Sequence, residues 1–269
     1  MTKEFSYTFY KPTELFHNIL DCVIISVLNP YCFTLQFEAD AVEFNNIQRC
    51  INLYYHSRQD IKLVVRPNEI SIDLPVVCKN LNSSETDPVW YRSKILNYDP
   101  RENTVDLFYV DFGTWEKTVS IHRLRHLVKQ FSEYMVFSLT CGLAAVVPSS
   151  VDMNRETWSE AVNQQFISIL MENKLQVELL AHGSDDCMKV NLFVKDINHQ
   201  INVAEYLVSQ NLAEAISWDS ATDATEQTLV RIDISHWRNF CFSIIRFSCP
   251  INIVSPIKFF ILSLHYTTI

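Results

Sequence analysis

"VWYRSKILNYDPRENTVDLFYVDFGTWEKTV", residues 89–119, sets seven aromatic side chains around an Asp-Phe-Gly-Thr turn in a chain with only three glycines. Residues 89–98 predict one strand and residues 99–103, Asp-Pro-Arg-Glu-Asn, a turn. Residues 104–112 predict a second strand, with Val105, Leu107 and Tyr109 alternating against Asp106, Phe108 and Val110. Residues 115–120 predict a third. With an extended segment before them at residues 75–79, these short-linked strands predict a small, strongly bent antiparallel barrel. Tyr91 and Tyr109 can face each other across an antiparallel pair. Phe112 lies three residues past Tyr109, which in a regular strand points it to the other face. Gly113 permits a bend with φ > 0 that swings it back, which gives the glycine its reason to be there.

Outward from the barrel, residues 20–28 and 31–37 read as two apolar strands joined by the turn dipeptide Asn29-Pro30. Phe44, Ile47, Ile51 and Tyr54 then recur at helical spacing between polar neighbours, predicting an amphipathic helix that ends near Tyr55. On the far side, Thr157 with Glu160 fits a capping box for a helix whose Trp158, Ala161, Val162, Ile169 and Leu170 share a face. Two strands follow, "KLQVELLAH" and "CMKVNLFVKD". A helix opens at Asn202 and Glu205, and the ordered body closes near Ile216. "SWDSATDATEQT" is polar and turn-rich, a linker in composition. The flanks on either side of the barrel could form one domain together.

Twenty-two basic against 31 acidic residues give a formal charge of -9 and a pI near 5.3. This repels polyphosphate at long range and favours a cationic partner. The eight cysteines include no Cys-x-x-Cys pair and no nearby paired histidines, so no structural metal site is expected. Most sit in apolar runs and read as small buried hydrophobes in a reducing compartment. The N-terminus has no basic segment followed by an apolar one, which predicts a cytoplasmic protein. From His236 onward the tail is apolar, but Arg246, Pro250, Pro256 and Lys258 cut it into pieces too short to span a bilayer.

Several ordered motifs carry a family resemblance. They are Trp90-Tyr91-Arg92, Asp111-Phe112-Gly113-Thr114, Glu116, Leu124-Arg125-His126-Leu127 and Cys141-Gly142-Leu143-Ala144-Ala145-Val146. Over this span the sequence resembles the Tudor domain in its extended form. The resemblance implies a mainly β fold with α-helices: an SH3-like Tudor barrel flanked by a split, nuclease-like subdomain of the oligonucleotide-binding (OB) type. It places the extended domain at residues 15–216, with subdomain halves at 15–75 and 131–216, the core at 76–130, and a linker and apolar tail at 217–269.

The resemblance also implies a methylarginine cage. A methylated arginine keeps its charge and loses donors, so a ring of aromatic faces holds it. Tyr91, Tyr109 and Phe112 match three of the family's cage positions. Two others depart: Asn80 stands near the place of a further aromatic, and Thr114 replaces an asparagine whose amide orients the guanidinium. The expectation is a partial cage. Trp90, Trp115 and Trp158 read as packing residues, and Arg92 with Asp111 as a structural ion pair.

Three functions compete. The resemblance favours a non-catalytic scaffold module of cytoplasmic ribonucleoprotein (germ) granules. It would bind arginine-rich tails of Piwi-class proteins in small-RNA silencing, with the need for symmetric dimethylation left open, no cofactor and no membrane. The alternative is an RNA-binding or general interaction domain with a lost cage, suggested by the basic run at residues 122–129. A metal-dependent nuclease needs carboxylates clustered with arginines. Glu178, Asp185, Asp186 and Asp196 show no such clustering, and Arg155 is the only arginine between Arg125 and Arg231.

Overall fold

The computed structural model describes residues 6–9, 15–57, 63–80, 89–149, 157–183, 187–195 and 200–216. In chain order the elements are β1 (Ile19–Asn29), β2 (Cys32–Phe37), α1 (Ala41–Ser57), β3 (Pro75–Lys79), β4 (Trp90–Asp99), β5 (Thr104–Tyr109), β6 (Thr114–Ser120), β7 (Leu124–His126) and α2 (Lys129–Ser132). Then follow β8 (Leu139–Leu143), β9 (Val146–Pro148), α3 (Glu160–Glu172), β10 (Leu175–His182), β11 (Met188–Lys195), β12 (Gln200–Asn202), α4 (Val203–Ser209) and β13 (Ala213–Ala215). They fall into two compact units. One contains Ala39–Ser138 and the N-terminal residues around Tyr7, and the other contains the described residues on either side of that segment.

In the first unit five strands run in the order β6-β5-β4-β3-β7. Alternation along the strands separates two apolar clusters. The barrel interior takes Val76, Cys78, Ile95, Val105, Leu107, Tyr109, Val119 and Leu124. The opposite face takes Val77, Trp90 and Val110, covered by Ile47, Ile51 and Tyr55 of α1 and by Phe131 and Phe137. Helix α1 also answers the backbone at the start of β4. Gln48 donates to the Trp90 carbonyl at 2.6 Å, and the Asn52 side-chain oxygen accepts from the Trp90 amide at 2.7 Å. These two polar residues, one helical turn apart, satisfy groups that burial would otherwise strand.

Arg92 is the largest fully buried side chain of this unit. All five of its N–H donors are used. Nε and Nη2 grip Asp111 at 2.8 and 2.5 Å, and the remaining bonds reach the carbonyls of Phe131, Tyr134 and Met135 at 2.8–2.9 Å. The rings of Tyr7 and Phe137 each lie 5.6 Å from the guanidinium carbon. Asp111 also accepts from the Phe137 amide at 3.2 Å. The pair foreseen between Arg92 and Asp111 is therefore the centre of a larger network, which fixes the backbone of residues 131–137.

In the second unit β1 pairs with β2 and with β10, β2 with β8, β8 in parallel with β11, and β11 with β10. The pairings close on themselves as a five-stranded barrel of the OB type, so no lateral edge remains within the ring. Phe33, Leu35, Val177, Leu179, Val190 and Leu192 fill it, and Phe166 of α3 meets Phe33 edge-on at 5.7 Å. Gly142 has a steric reason to be glycine. A Cβ there would stand far inside contact distance of the Tyr31 carbonyl oxygen, because β8 crosses the β1–β2 turn at backbone contact.

Several sequence expectations shift here. The helix cap is Ser159, which accepts from the Val162 amide, and not Thr157; burial of Trp158 edge-on to Tyr31 delays the helix start. The second barrel strand ends at Tyr109 and not at Phe112. Of the cysteines, Cys22, Cys32, Cys78, Cys141 and Cys187 are buried, but Cys50 is exposed on α1. Residues 217–269, with the expected linker and tail, lie outside the described residues. Among the described residues no helix is long and apolar enough to cross a membrane.

Candidate functional site

At the end of β5 the chain reverses within four residues. The Tyr109 carbonyl accepts from both Phe112 and Gly113, at 3.1 and 3.0 Å, and Gly113 takes a φ of 62°. That reversal brings Phe112 back beside the strands it has just left. Its ring meets Tyr91 of β4 at 4.9 Å and 70°, and Tyr91 meets Tyr109 at 5.9 Å and 86°. Three of the four residues singled out from sequence thus form one aromatic group, with successive rings nearly perpendicular. Phe44 of α1 joins it, 5.7 Å from Phe112 and 5.4 Å from Phe137.

The strand register assigns the polar positions. Tyr109 stands opposite Thr114 on β6, and Tyr91 opposite Cys78 on β3. The Asn80 amide donates to the Val89 carbonyl at 2.8 Å, continuing the β3–β4 ladder past Lys79. With a period of two, Asn80, Cys78, Tyr91, Tyr109 and Thr114 share one face of the sheet. The face therefore carries three aromatic residues, one amide and one hydroxyl.

Beneath the rings lies an ionic arrangement that sequence reasoning did not assign. The Tyr109 hydroxyl donates to Glu116, whose carboxylate also receives both terminal nitrogens of Arg123 at 2.6 and 3.1 Å. Arg123 Nε completes the set on the Lys79 carbonyl at 2.9 Å. Burial, with the nearby Cys78 and Glu116, pushes the Tyr109 phenol far above its ordinary range, so the ring stays neutral and fixed. Burial likewise pushes the Cys78 thiol up to about 11.

Beside Phe44 and Phe137 opens a cleft of about 490 Å³, lined by Asp40, Glu43, Glu133, Tyr134, Met135, Val136 and Phe137. Burial, then the neighbouring Glu43, raises the Asp40 carboxyl above its usual range. Three carboxylates over an aromatic and thioether floor make a wall suited to a cation.

Other sequence candidates are spent on structure. In the basic run, Arg123 serves Glu116, Arg125 lies 5.5 Å over the Trp90 ring, His126 meets Glu69 at 3.1 Å and Lys129 meets Glu133 at 3.3 Å. Trp90 and Trp158 are buried. Glu178 accepts from Asn191 at 2.8 Å; Asp185, Asp186 and Asp196 lie outside the described residues. Among the described residues no group of three or more His, Cys, Asp or Glu is placed to hold a metal ion.

Comparison with known proteins locates this architecture. The family model described as "Tudor domain" matches residues 15–145. Mouse RING finger protein 17 is 31% identical over 106 residues, covering 35% of this chain and 6% of that protein. Zebrafish Tudor domain-containing protein 1 is 26% identical over 157 residues, covering 57% of this chain and 13% of that protein. The chain thus spans a small part of the curated relatives it matches. Among solved structures, extended Tudor domain TD3 of mouse TDRD1, in complex with a MILI peptide containing dimethylarginine, aligns with a TM-score of 0.66. The identity is 19%, over 79% of this chain and all of that one. The extended Tudor domain of Drosophila melanogaster Papi aligns at 0.62, with 22% identity over 74% of this chain and all of that one.

Proposed function

We propose, from a chain whose residues 15–145 are a Tudor domain and whose fold is that of extended Tudor domains, that it is a peptide-binding module for arginine-bearing protein tails. A Tudor domain is a non-catalytic binding module, and the reading needs no cofactor. The observation that carries it is the aromatic group of Tyr91, Tyr109 and Phe112, with perpendicular ring faces at 4.9–5.9 Å. Such faces attract a delocalised cation through their quadrupoles. The cleft of Asp40, Glu43 and Glu133 adjoins the group through Phe44 and favours further positive charge on the same peptide.

The structural neighbours give the chemistry a direction. The mouse TDRD1 domain holds a MILI peptide with dimethylarginine, the human TDRD1 domain a symmetrically dimethylated peptide, and the Drosophila Papi domain a Piwi N-terminal peptide with a dimethylated arginine. By that analogy the partners of this chain are Piwi-class tails, and its place is a scaffold in cytoplasmic germ granules serving small-RNA silencing. The alternative RNA-binding reading has little support. The net charge is -9, and the basic run at residues 122–129 is largely engaged within its own unit.

Isothermal titration of the chain with arginine-rich peptides, unmethylated and symmetrically dimethylated, tests the reading. Saturable binding that Tyr91→Ala abolishes is the expected result. A flat response to both peptides at millimolar concentration overturns it.

A further inference from the structure

We infer that this site, if it binds arginine peptides as proposed, takes the unmethylated guanidinium in preference to the symmetrically dimethylated one. The argument rests on which positions around the three rings are apolar and which are polar. Arginine presents five N–H donors, and symmetric dimethylation replaces one on each terminal nitrogen with a methyl while leaving the charge intact. A methyl gains by meeting a ring face. Against an amide or hydroxyl it gains nothing, and it denies that group a donor.

On the sheet face shared by Tyr91 and Tyr109, the register puts two such groups. Asn80 stands two residues along from Cys78, the partner of Tyr91, and Thr114 is the direct partner of Tyr109. Each offers a side-chain oxygen that can accept from a guanidinium N–H and has no ring face for a methyl. Glu116 does not alter this balance. It is already shared between Tyr109 and Arg123, so it anchors the aromatic wall from behind. The acidic cleft does not discriminate either, because both forms of arginine carry the same charge.

The affinity ratio between matched peptides isolates this effect. The full chain is titrated with one arginine peptide in unmethylated, monomethylated and symmetrically dimethylated forms. One hydrogen bond's worth of discrimination predicts a preference of roughly fivefold for the unmethylated form, with the monomethylated form between. Asn80→Phe, which supplies a ring, is expected to reverse the order. Thr114→Val, which keeps the shape and removes the hydroxyl, is expected to narrow it, and serves where the larger change disturbs folding as seen by circular dichroism. Tighter binding of the dimethylated peptide by the unaltered chain overturns the inference and leaves the proposed function standing. An unchanged ratio in both folded variants overturns the assignment to Asn80 and Thr114. Binding of no peptide at all defeats the proposed function itself.

Discussion

The two barrels of this chain are built on opposite principles. The one in Ala39–Ser138 buries a charged pair at its centre and turns aromatic and polar groups together on one face. The split one is filled by aliphatic side chains, phenylalanine and thiols. In the first, Arg92 and Asp111 specify where the loop of residues 131–137 must run. In the second, shape alone decides, down to the missing Cβ of Gly142. Directional contacts position a site, and close packing supplies a rigid body; here the two tasks are divided between two closed sheets.

The largest effect that would break this contrast comes from Arg92→Met. It leaves Asp111 buried without a counter-charge and three carbonyls without donors, so a loss of about 3–5 kcal/mol is expected. Hydrogen exchange should locate that loss in residues 75–137 and leave residues 175–195 protected; equal loss in both would show that the barrels do not fold as separate units.

Gly142→Ala probes the other principle. A Cβ pressed onto the Tyr31 backbone oxygen forces β8 and the β1–β2 turn apart, at about 1–3 kcal/mol by urea denaturation. No change would mean the two backbones are loosely packed there.

Alkaline titration sharpens the comparison through the thiols. Burial pushes Cys22 up to about 12 and Cys141 well above its ordinary value, so the folded chain keeps protons that the unfolded chain releases near pH 9. Stability is then full below pH 9 and falls as pH rises towards 12, by about 1.4 kcal/mol per pH unit for each such thiol. Replacing Cys22 with Ala should flatten the slope measured by thermal melts between about pH 9 and 10.5; an unchanged slope would assign it to other groups.

The smallest effect concerns Thr118, a β-branched residue held at φ 56° where the β5–β6 register slips. Thr118→Asn relieves that geometry and should stabilise the first barrel by about 1 kcal/mol. A destabilised variant would show that the threonine side chain contributes more than its backbone costs.

Much of this was readable because its causes are local. Alternation in residues 104–109 sorted Val105, Leu107 and Tyr109 to the interior, and Asn202 capped its helix as its type suggests, accepting from Ala204 and Glu205. Gly113 betrayed the turn that returns Phe112 to Tyr91. The turn starts earlier than the hydrophobic run implies, because hydrogen bonding to the Tyr109 carbonyl ends the strand while Val110 is still apolar. Thr157 and Ser159 both look like caps, and only the burial of Trp158 between them chooses. The role of Phe44 was hidden, since at helical spacing with Ile47 it reads as ordinary core. Glu116 and Arg123 sit seven residues apart on different elements, and nothing in either residue's neighbourhood announces that they meet under Tyr109.

The split of the second barrel also sets a timetable. Leu35 of β2 pairs with Leu139 of β8, yet the whole of Ala39–Ser138 must be made between them. At roughly 5–20 residues per second, β2 waits about 5–20 s on the ribosome for its neighbour. All six residues of that strand, Cys32–Phe37, are buried in the finished fold. For those seconds a nascent chain carries an apolar edge with nothing beside it, the kind of surface that captures other chains. Early closure of the intervening barrel would bring the two ends of the gap together and shorten the search that remains.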